Sequence, residues 1–407
     1  HKAAGYVLSQ ASANGNLGNN YADLGLYRRA RRLTLEAADI SRRAGEKGGL
    51  LVWIWNLAQW AFQIGSLDEA RALSAEATAL TRAMGDKRFG AFPAMAAGWI
   101  ALGEGRTIEA ARRFERVAQA AATGTDVQLA ALTEAGRAHL AAGNPAAALA
   151  ATRRAAAKHR AMRLAPLDSM NPATLWWRHS QALQASGRGV EARKALEQAW
   201  SLLLGGIGSM SDEGLRRNYL NKKGEHREVI LAWLQHAREH KLPRKKREAH
   251  LVSKVNLGES FERLVDTGLR LNEIKTEAEL HEFLVDEVTE LTGAERVLLV
   301  LEAPDAPDGL HIAGSLLPAR EDEHALLQSV TPWLQEARRN RAVSLRHTPD
   351  DAQQVDQRSH LIAPLIVQRE LLGYVYCDID GAFGRFHDGD RDLLAMLASQ
   401  AVVAMAN

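Results

Sequence analysis

Cys377 is the only cysteine in 407 residues, and between 311 and 387 the histidines His311, His324, His347, His360 and His387 accompany it. These are the side chains whose chemistry could hold a metal or form a covalent bond. One cysteine excludes a disulfide framework and any zinc site built on several thiolates. Cys377 lies in LLGYVYCDID, a strand-like run in which a buried cysteine usually serves as a small hydrophobe, and a redox thiol is the sharper alternative. Scattered histidines in such a segment are most often surface or hydrogen-bonded structural residues. No metal-ligand cluster, phosphate loop, nucleophile elbow, or kinase or cyclase motif is present. The carboxylates form no pair within one element whose spacing argues for acid–base work. The chain therefore reads as non-catalytic, with no evident cofactor.

Cys377, His360 and His387 sit in a stretch from Ser359 to Asn407 that reads as strand, turn, strand, loop and helix. Leu361–Val367 and Leu371–Ile379 are short, rich in β-branched and aromatic residues, and separated by the turn-sized Gln368-Arg369-Glu370. From Asp390 the apolar residues Leu393, Leu394, Leu397, Ala401, Val402 and Met405 recur at helical spacing, with Asp388 as N-cap. Upstream, the pattern predicts helices at 257–275, 277–292 and 321–339, and strands at 296–301, 310–317 and 342–345. A turn is expected at 304–309 and a polar loop at 347–357.

With Pro364-Leu365 in the first hairpin strand, Gly373 and Asp378 in the second, then Phe386, Asp390 and a Leu-x-x-Leu-Ala-x-Gln-Ala run from Leu394, this region resembles a GAF domain. The resemblance covers about 150 residues, 257–407. It implies a central antiparallel sheet flanked by helices and a regulatory role: binding an unknown small ligand, dimerising, or both. It places a ligand pocket near His360, Tyr374, Tyr376 and Cys377, with a haem ligand or bilin anchor as special cases. The Asn-Lys pair and Asp-Glu ending of cyclic-nucleotide-binding members are missing. A dimerising pair of helices is expected through Phe261, Leu264, Leu394, Leu397 and Val402.

The length implies at least two domains, and 46% hydrophobic with 25% charged residues is a soluble, globular composition. No signal peptide or membrane-spanning run is seen, so a cytoplasmic setting is expected, with no membrane partner. His1 is not an initiator Met, and the chain reads as a piece of something longer. The net charge of +2 hides a split: +11 over 1–240, +5 over 241–255 and −14 over 256–407. Separately solvated surfaces explain this more simply than attraction between the halves.

Residues 1–240 repeat. Gly18, Ala58, Gly98, Gly136 and Ser180 are followed by Gly25, Gly65, Gly105, Gly143 and Gly187, then by Ala30, Ala70, Ala110, Ala148 and Ala192. Ala37, Ala77, Val117, Ala155 and Ala199 continue the series. Each unit predicts a helix, a glycine turn and a second helix, with small residues where the helices approach. Leu17-Gly18-x-x-Tyr21 and the small-residue pattern resemble a tetratricopeptide array. The expected class is thus multidomain: an all-α solenoid followed by an α+β GAF-type domain. Units fall near 15–44, 50–84, 90–124, 128–162 and 172–206, with a divergent cap at 212–240, a basic linker at 241–256, and residues 1–14 as the remnant of an earlier repeat.

The tetratricopeptide resemblance implies a concave groove lined by first helices: Trp55, Gln59, Phe62, Gln63, Met95, Trp99, Arg137, Trp177, Gln181 and Gln184. Aromatic and glutamine side chains suit a protein or peptide partner, although a tryptophan packed between repeats is the commoner case. The KLPRKKR stretch has no recognition helix beside it and reads as a charged linker, so no nucleic-acid partner is expected. Repeats followed by a GAF domain resemble large bacterial signalling proteins. That implies a regulatory segment controlling a class III adenylate or guanylate cyclase, with a histidine kinase or a ligand-free dimeric scaffold as alternatives.

Overall fold

The computed structural model describes residues 2–85, 87–120, 124–252, 257–271, 274, 276–304, 309–319 and 321–406. The side chains of 2–6, 87, 88, 257–261 and 266 are outside that description, so the roles expected of Phe261 and of most of the 304–309 turn fall outside it too. The chain folds as two compact units, His1–Gly205 and Gly206–Asn407.

The first unit is a succession of paired helices: α1 (Lys2–Asp23) with α2 (Tyr27–Arg43), α3 (Lys47–Gln63) with α4 (Leu67–Met84), and α5 (Ala91–Gly103) with α6 (Thr107–Gln119). Then come α7 (Thr125–Ala141) with α8 (Pro145–Ala161), and α9 (Pro172–Ala185) with α10 (Gly189–Ile207). Gly25, Gly65, Gly105, Gly143 and Gly187 all have positive φ, between 71° and 84°. The next N–H returns to a carbonyl of the first helix, as from Leu26 to Tyr21 and from Arg106 to Ala101. This is a helix stop that only glycine adopts without strain.

The small residue seven positions before each turn has a steric cause. A Cβ on Gly18 would lie 2.3 Å from Thr34 Oγ1, on Gly98 2.4 Å from Phe114 Cε1, and on Gly136 2.3 Å from Thr152 Cγ2. In the last unit Ser180 takes that place, and its hydroxyl donates to the Ala192 carbonyl at 2.7 Å. First helices of neighbouring pairs also touch, α1 with α3, α3 with α5, α5 with α7 and α7 with α9, as in a solenoid. Residues 2–14, expected as the remnant of an earlier repeat, form the first part of α1 and run without a break into the first unit.

The second unit opens with α11 (Glu213–Asn221), α12 (Gly224–Glu239) and the single turn α13 (Arg244–Arg247). The pair expected to cap the repeats therefore lies in the same compact unit as the sheet. There follow α14 (Leu257–Leu271), α15 (Glu277–Thr292), β1 (Arg296–Glu302), β2 (Leu310–Leu316), α16 (Glu323–Asn340), β3 (Ser344–Thr348), β4 (Arg358–Val367), β5 (Glu370–Asp380) and α17 (Asp388–Ala406). β3 starts and ends later than the sequence suggests, taking in His347 and Thr348, because its register is set by pairing with β4. The antiparallel sheet runs β2-β1-β5-β4-β3. Leu298, Val300, Ile362, Tyr374 and Tyr376 pack on Leu326, Val330 and Leu334 of α16. α15 and α17 pack on the sheet and on each other, and α14 packs on both of them. No helix among the described residues is long and apolar enough to cross a membrane.

Candidate functional site

Two polar constructions are buried in the second unit. The first follows from the end of α15. A helix leaves its last carbonyls without intrahelical donors, and buried carbonyls need partners. Here α11 supplies them. Asn218 Nδ2 donates to the carbonyls of Thr289 (2.9 Å) and Glu290 (3.3 Å), Arg217 to Thr292 (2.9 Å), Asn221 to Gly293 (2.7 Å) and Lys222 to Glu295 (2.9 Å). The approach is close enough that a Cβ on Gly214 would sit 2.2 Å from the Leu291 oxygen.

The Arg217 side chain is fully enclosed. It donates to both oxygens of Asp390 (2.7 and 3.1 Å) and to the Arg385 carbonyl (2.6 Å), and lies over the Phe386 ring. Asp390 also receives the His387 N–H at 2.7 Å, which fixes the start of α17. Asp212 caps α11 through the Leu215 N–H and takes Arg263 of α14 on its other oxygen at 2.6 Å. One helix thus reaches α14, α15 and α17.

The second construction lies on the α16 side of the sheet. Asp378 is completely buried and accepts from Arg296 Nε at 2.9 Å and Arg358 Nη1 at 2.6 Å. Burial alone would raise its carboxyl, but Arg296 and Arg358 hold it below the usual carboxylate range. Tyr376 donates its hydroxyl to Asp378, and burial together with that carboxylate keeps the phenol protonated. His360 Nδ1 is 3.0 Å from the Tyr376 oxygen, and Nε2 is 2.7 Å from Thr348 Oγ1. Because the phenol proton goes to Asp378, Nδ1 carries the imidazole proton and Nε2 accepts from Thr348. Burial pushes His360 down to about 4, with Arg358, Arg296 and Arg346 opposing a second charge against the pull of Asp378. Trp333 covers the ring edge-on at 4.7 Å, and Arg346 lies over Trp333. The arrangement is a closed hydrogen-bond relay, Thr348 to His360 to Tyr376 to Asp378, without an exposed nucleophile.

Of the pocket residues expected from sequence, His360 and Tyr376 come together here. Tyr374 instead donates to Glu302 at 2.9 Å. Cys377, next along β5 from Tyr376, points to the opposite face of the sheet, where burial raises its thiol and Thr292 lies beside it. Such a thiol is unreactive. Among the described residues no group of three His, Cys, Asp or Glu could hold a metal ion. Leu264, Leu394, Leu397 and Val402, expected at a dimer surface, are buried within their own chain. Among the described residues, the large exposed apolar side chains of those helices are instead Val265, Leu269, Met396 and Val403.

In the first unit, Trp55 lies tilted against Phe92 (4.7 Å) and stacks on Trp99 (6.2 Å), Phe62 stacks on Trp99 (6.2 Å), and Arg137 lies 5.7 Å over Phe62. Trp99 and Met95 are buried, Trp55 and Gln59 half-buried, and Gln63 and Gln184 exposed. Trp177 and Gln181 are half-buried on α9, Gln181 accepting from Arg178 at 2.8 Å. Sequence reasoning did not single out Arg217, Asn218, Asn221, Arg296, Trp333 or Arg358. The one available signal was RRNYLN at 216–221, too rich in arginine and asparagine for the face of a repeat.

Residues 279–405 match the family model of the GAF domain and form such a domain. Among solved structures, the chain is similar to the GAF domain of the cyanobacteriochrome TePixJ, at 16% identity over 33% of this chain and 92% of that one, with a TM-score of 0.25. It is also similar to the GAF domain from Acinetobacter phosphoenolpyruvate-protein phosphotransferase, at 12% identity over 36% and 93%, with a TM-score of 0.24. No curated relative matches the chain.

Arg217→Met strands Asp390 and should destabilise the second unit by about 3–5 kcal/mol in urea unfolding, whereas Arg217→Met/Asp390→Leu should recover part of that loss. A second expectation concerns pH. Below 6.5 the unfolded chain protonates His360, while the folded chain holds it neutral down to about 4. The unfolded state therefore binds more protons in this window, so stability is whole above 6.5 and falls as the pH is lowered. The contribution is at most about 1.4 kcal/mol per pH unit. Unfolding of His360→Gln between pH 6.5 and 4 should show a shallower slope than wild type.

Proposed function

We propose that this chain is a non-catalytic regulatory segment of a signal-transduction protein, in which the GAF domain relays a signal through its paired helices α14 and α17. The observation that carries this reading is the outward edge of that pair. Val265 and Leu269 on α14 are 66% and 65% exposed, and Met396 and Val403 on α17 are 45% and 58% exposed. The two helices meet where Gln400 reaches the Leu264 carbonyl and Gly268. Their inner faces are core, so what remains outside is an apolar surface suited to a second copy of the chain. A homodimer through this edge would pass any shift of α17 to whatever domain it controls.

The finer parts of the reading rest on the sequence resemblance. Tetratricopeptide-like repeats would take a protein or peptide partner beside Trp55, Trp99 and Arg137. The output would be a class III adenylate or guanylate cyclase, or a histidine kinase in the alternative, and the setting the cytoplasm. One observation favours the scaffold reading for the GAF domain itself. The α16 side of the sheet, where a small ligand was expected near His360 and Tyr376, is occupied by the protein's own Trp333, His360 and Tyr376 side chains.

Sedimentation of the chain at micromolar concentration should show a dimer, and Leu269→Glu with Val403→Glu should convert it to a folded monomer. A wild-type monomer throughout that range contradicts dimerisation through this edge.

A further inference from the structure

The basic stretch after α12 folds against the domain. Arg244 donates to Gln354 at 2.8 Å, His250 to the Ala382 carbonyl at 2.8 Å, and Arg216 holds the Val252 carbonyl at 3.0 Å. Between this stretch and the loops before β4 and α17 lies an open cleft of about 450 Å³, lined by Arg244, Lys245, Leu251, Val252, Arg385 and His387, among others. That volume is within the range of small-molecule sites, roughly 300–1,000 Å³.

The charges in the cleft do not cancel. Its two carboxylates are already matched: Glu213 is paired with Arg216 (3.0 Å) and Arg217 (3.3 Å), and Glu248 with Arg244 (2.8 Å) and Arg247 (2.6 Å). Burial would raise Glu248, yet the two arginines hold it below its ordinary value, so it remains an anion spoken for by its neighbours. Lys245 is exposed and makes no hydrogen bond or ion pair among the described residues. Arg385 spends Nη1 on the neutral Gln357 side chain at 2.8 Å and has no carboxylate partner there. The exposed His387 ring makes no hydrogen bond among the described residues. Donors from two separate segments thus face one volume, with Leu251 and Val252 as an apolar wall.

We propose that this cleft binds a small phosphorylated molecule, its phosphate held by Lys245, Arg385 and His387 and its organic part against Leu251 and Val252. A phosphate offers three acceptor oxygens to donors arriving from different directions, which suits this set better than a planar carboxylate. A bare ion would leave most of the volume empty. Bound there, the molecule would tie the basic stretch to the loop that leads into α17. This site is separate from the His360 network and does not depend on dimerisation.

Isothermal titration of the full chain with AMP, with inorganic pyrophosphate and with adenosine tests the proposal. The expected result is saturable binding of AMP or pyrophosphate at one per chain, with no comparable binding of adenosine. Lys245→Glu and Arg385→Gln should each weaken it at least tenfold, while Lys246→Gln, on the same basic stretch but outside the cleft lining, should leave it unchanged. Lys245 has no partner to lose, so Lys245→Glu should keep the wild-type circular dichroism melt and remains informative if Arg385→Gln does not fold. Absence of saturable binding by both phosphates overturns the proposal. So does adenosine binding as tightly as AMP, or Lys246→Gln weakening binding as much as Lys245→Glu.

Discussion

The second unit depends on how the end of α15 is satisfied. Its last carbonyls are buried, and water is not there to meet them. α11 meets them with Asn218, Arg217, Asn221 and Lys222, and the charge of Arg217 is in turn met by Asp390. A buried ion pair is weak evidence of net stability, because desolvation offsets much of the attraction. It does impose a strict geometry. The contacts among α11, α15 and the start of α17 fix one arrangement in which Arg217 meets Asp390 and the α15 carbonyls find donors, which makes this cluster the natural place for a change in one element to be felt by the others.

The same logic, at smaller scale, organises the sheet. Asp378 is anchored by two arginines from β1 and β4, and its second role is to receive the Tyr376 proton that orders His360 and Thr348. β1, β3, β4 and β5 are therefore tied through one buried carboxylate. Together the two networks explain why a regulatory domain with little reactive chemistry carries so many charged residues inside.

Much of the architecture was legible in the sequence because it rests on local rules. Glycines at positive φ mark the helix stops of the first unit, and the small residues before them answer to a specific side chain, as Gly98 does to Phe114. The short apolar, β-branched runs of β4 and β5 and the helical stripe of α17 were equally plain, and Asp378, Phe386 and Asp390 stood out through the GAF resemblance. Their partners did not. Arg217 and Asp390 are 173 positions apart, and no periodicity links them. For the same reason α11 and α12 read as a worn repeat, although their polar residues face the GAF domain. The stripe of α17 predicted that Leu394, Leu397 and Val402 would be buried against something; it could not tell another chain from α14 and the sheet.

If α11 supplies the donors for the end of α15, it belongs to the cooperative structure of the GAF domain. Amide hydrogen exchange of the full chain under native conditions tests it directly, by comparing the opening free energies of Tyr219–Asn221 in α11 with those of Val375–Cys377 in β5. Both sets should open together, at the free energy of the second unit's global unfolding. Exchange of the α11 amides through a separate, much lower-energy opening, with β5 still protected, would contradict it.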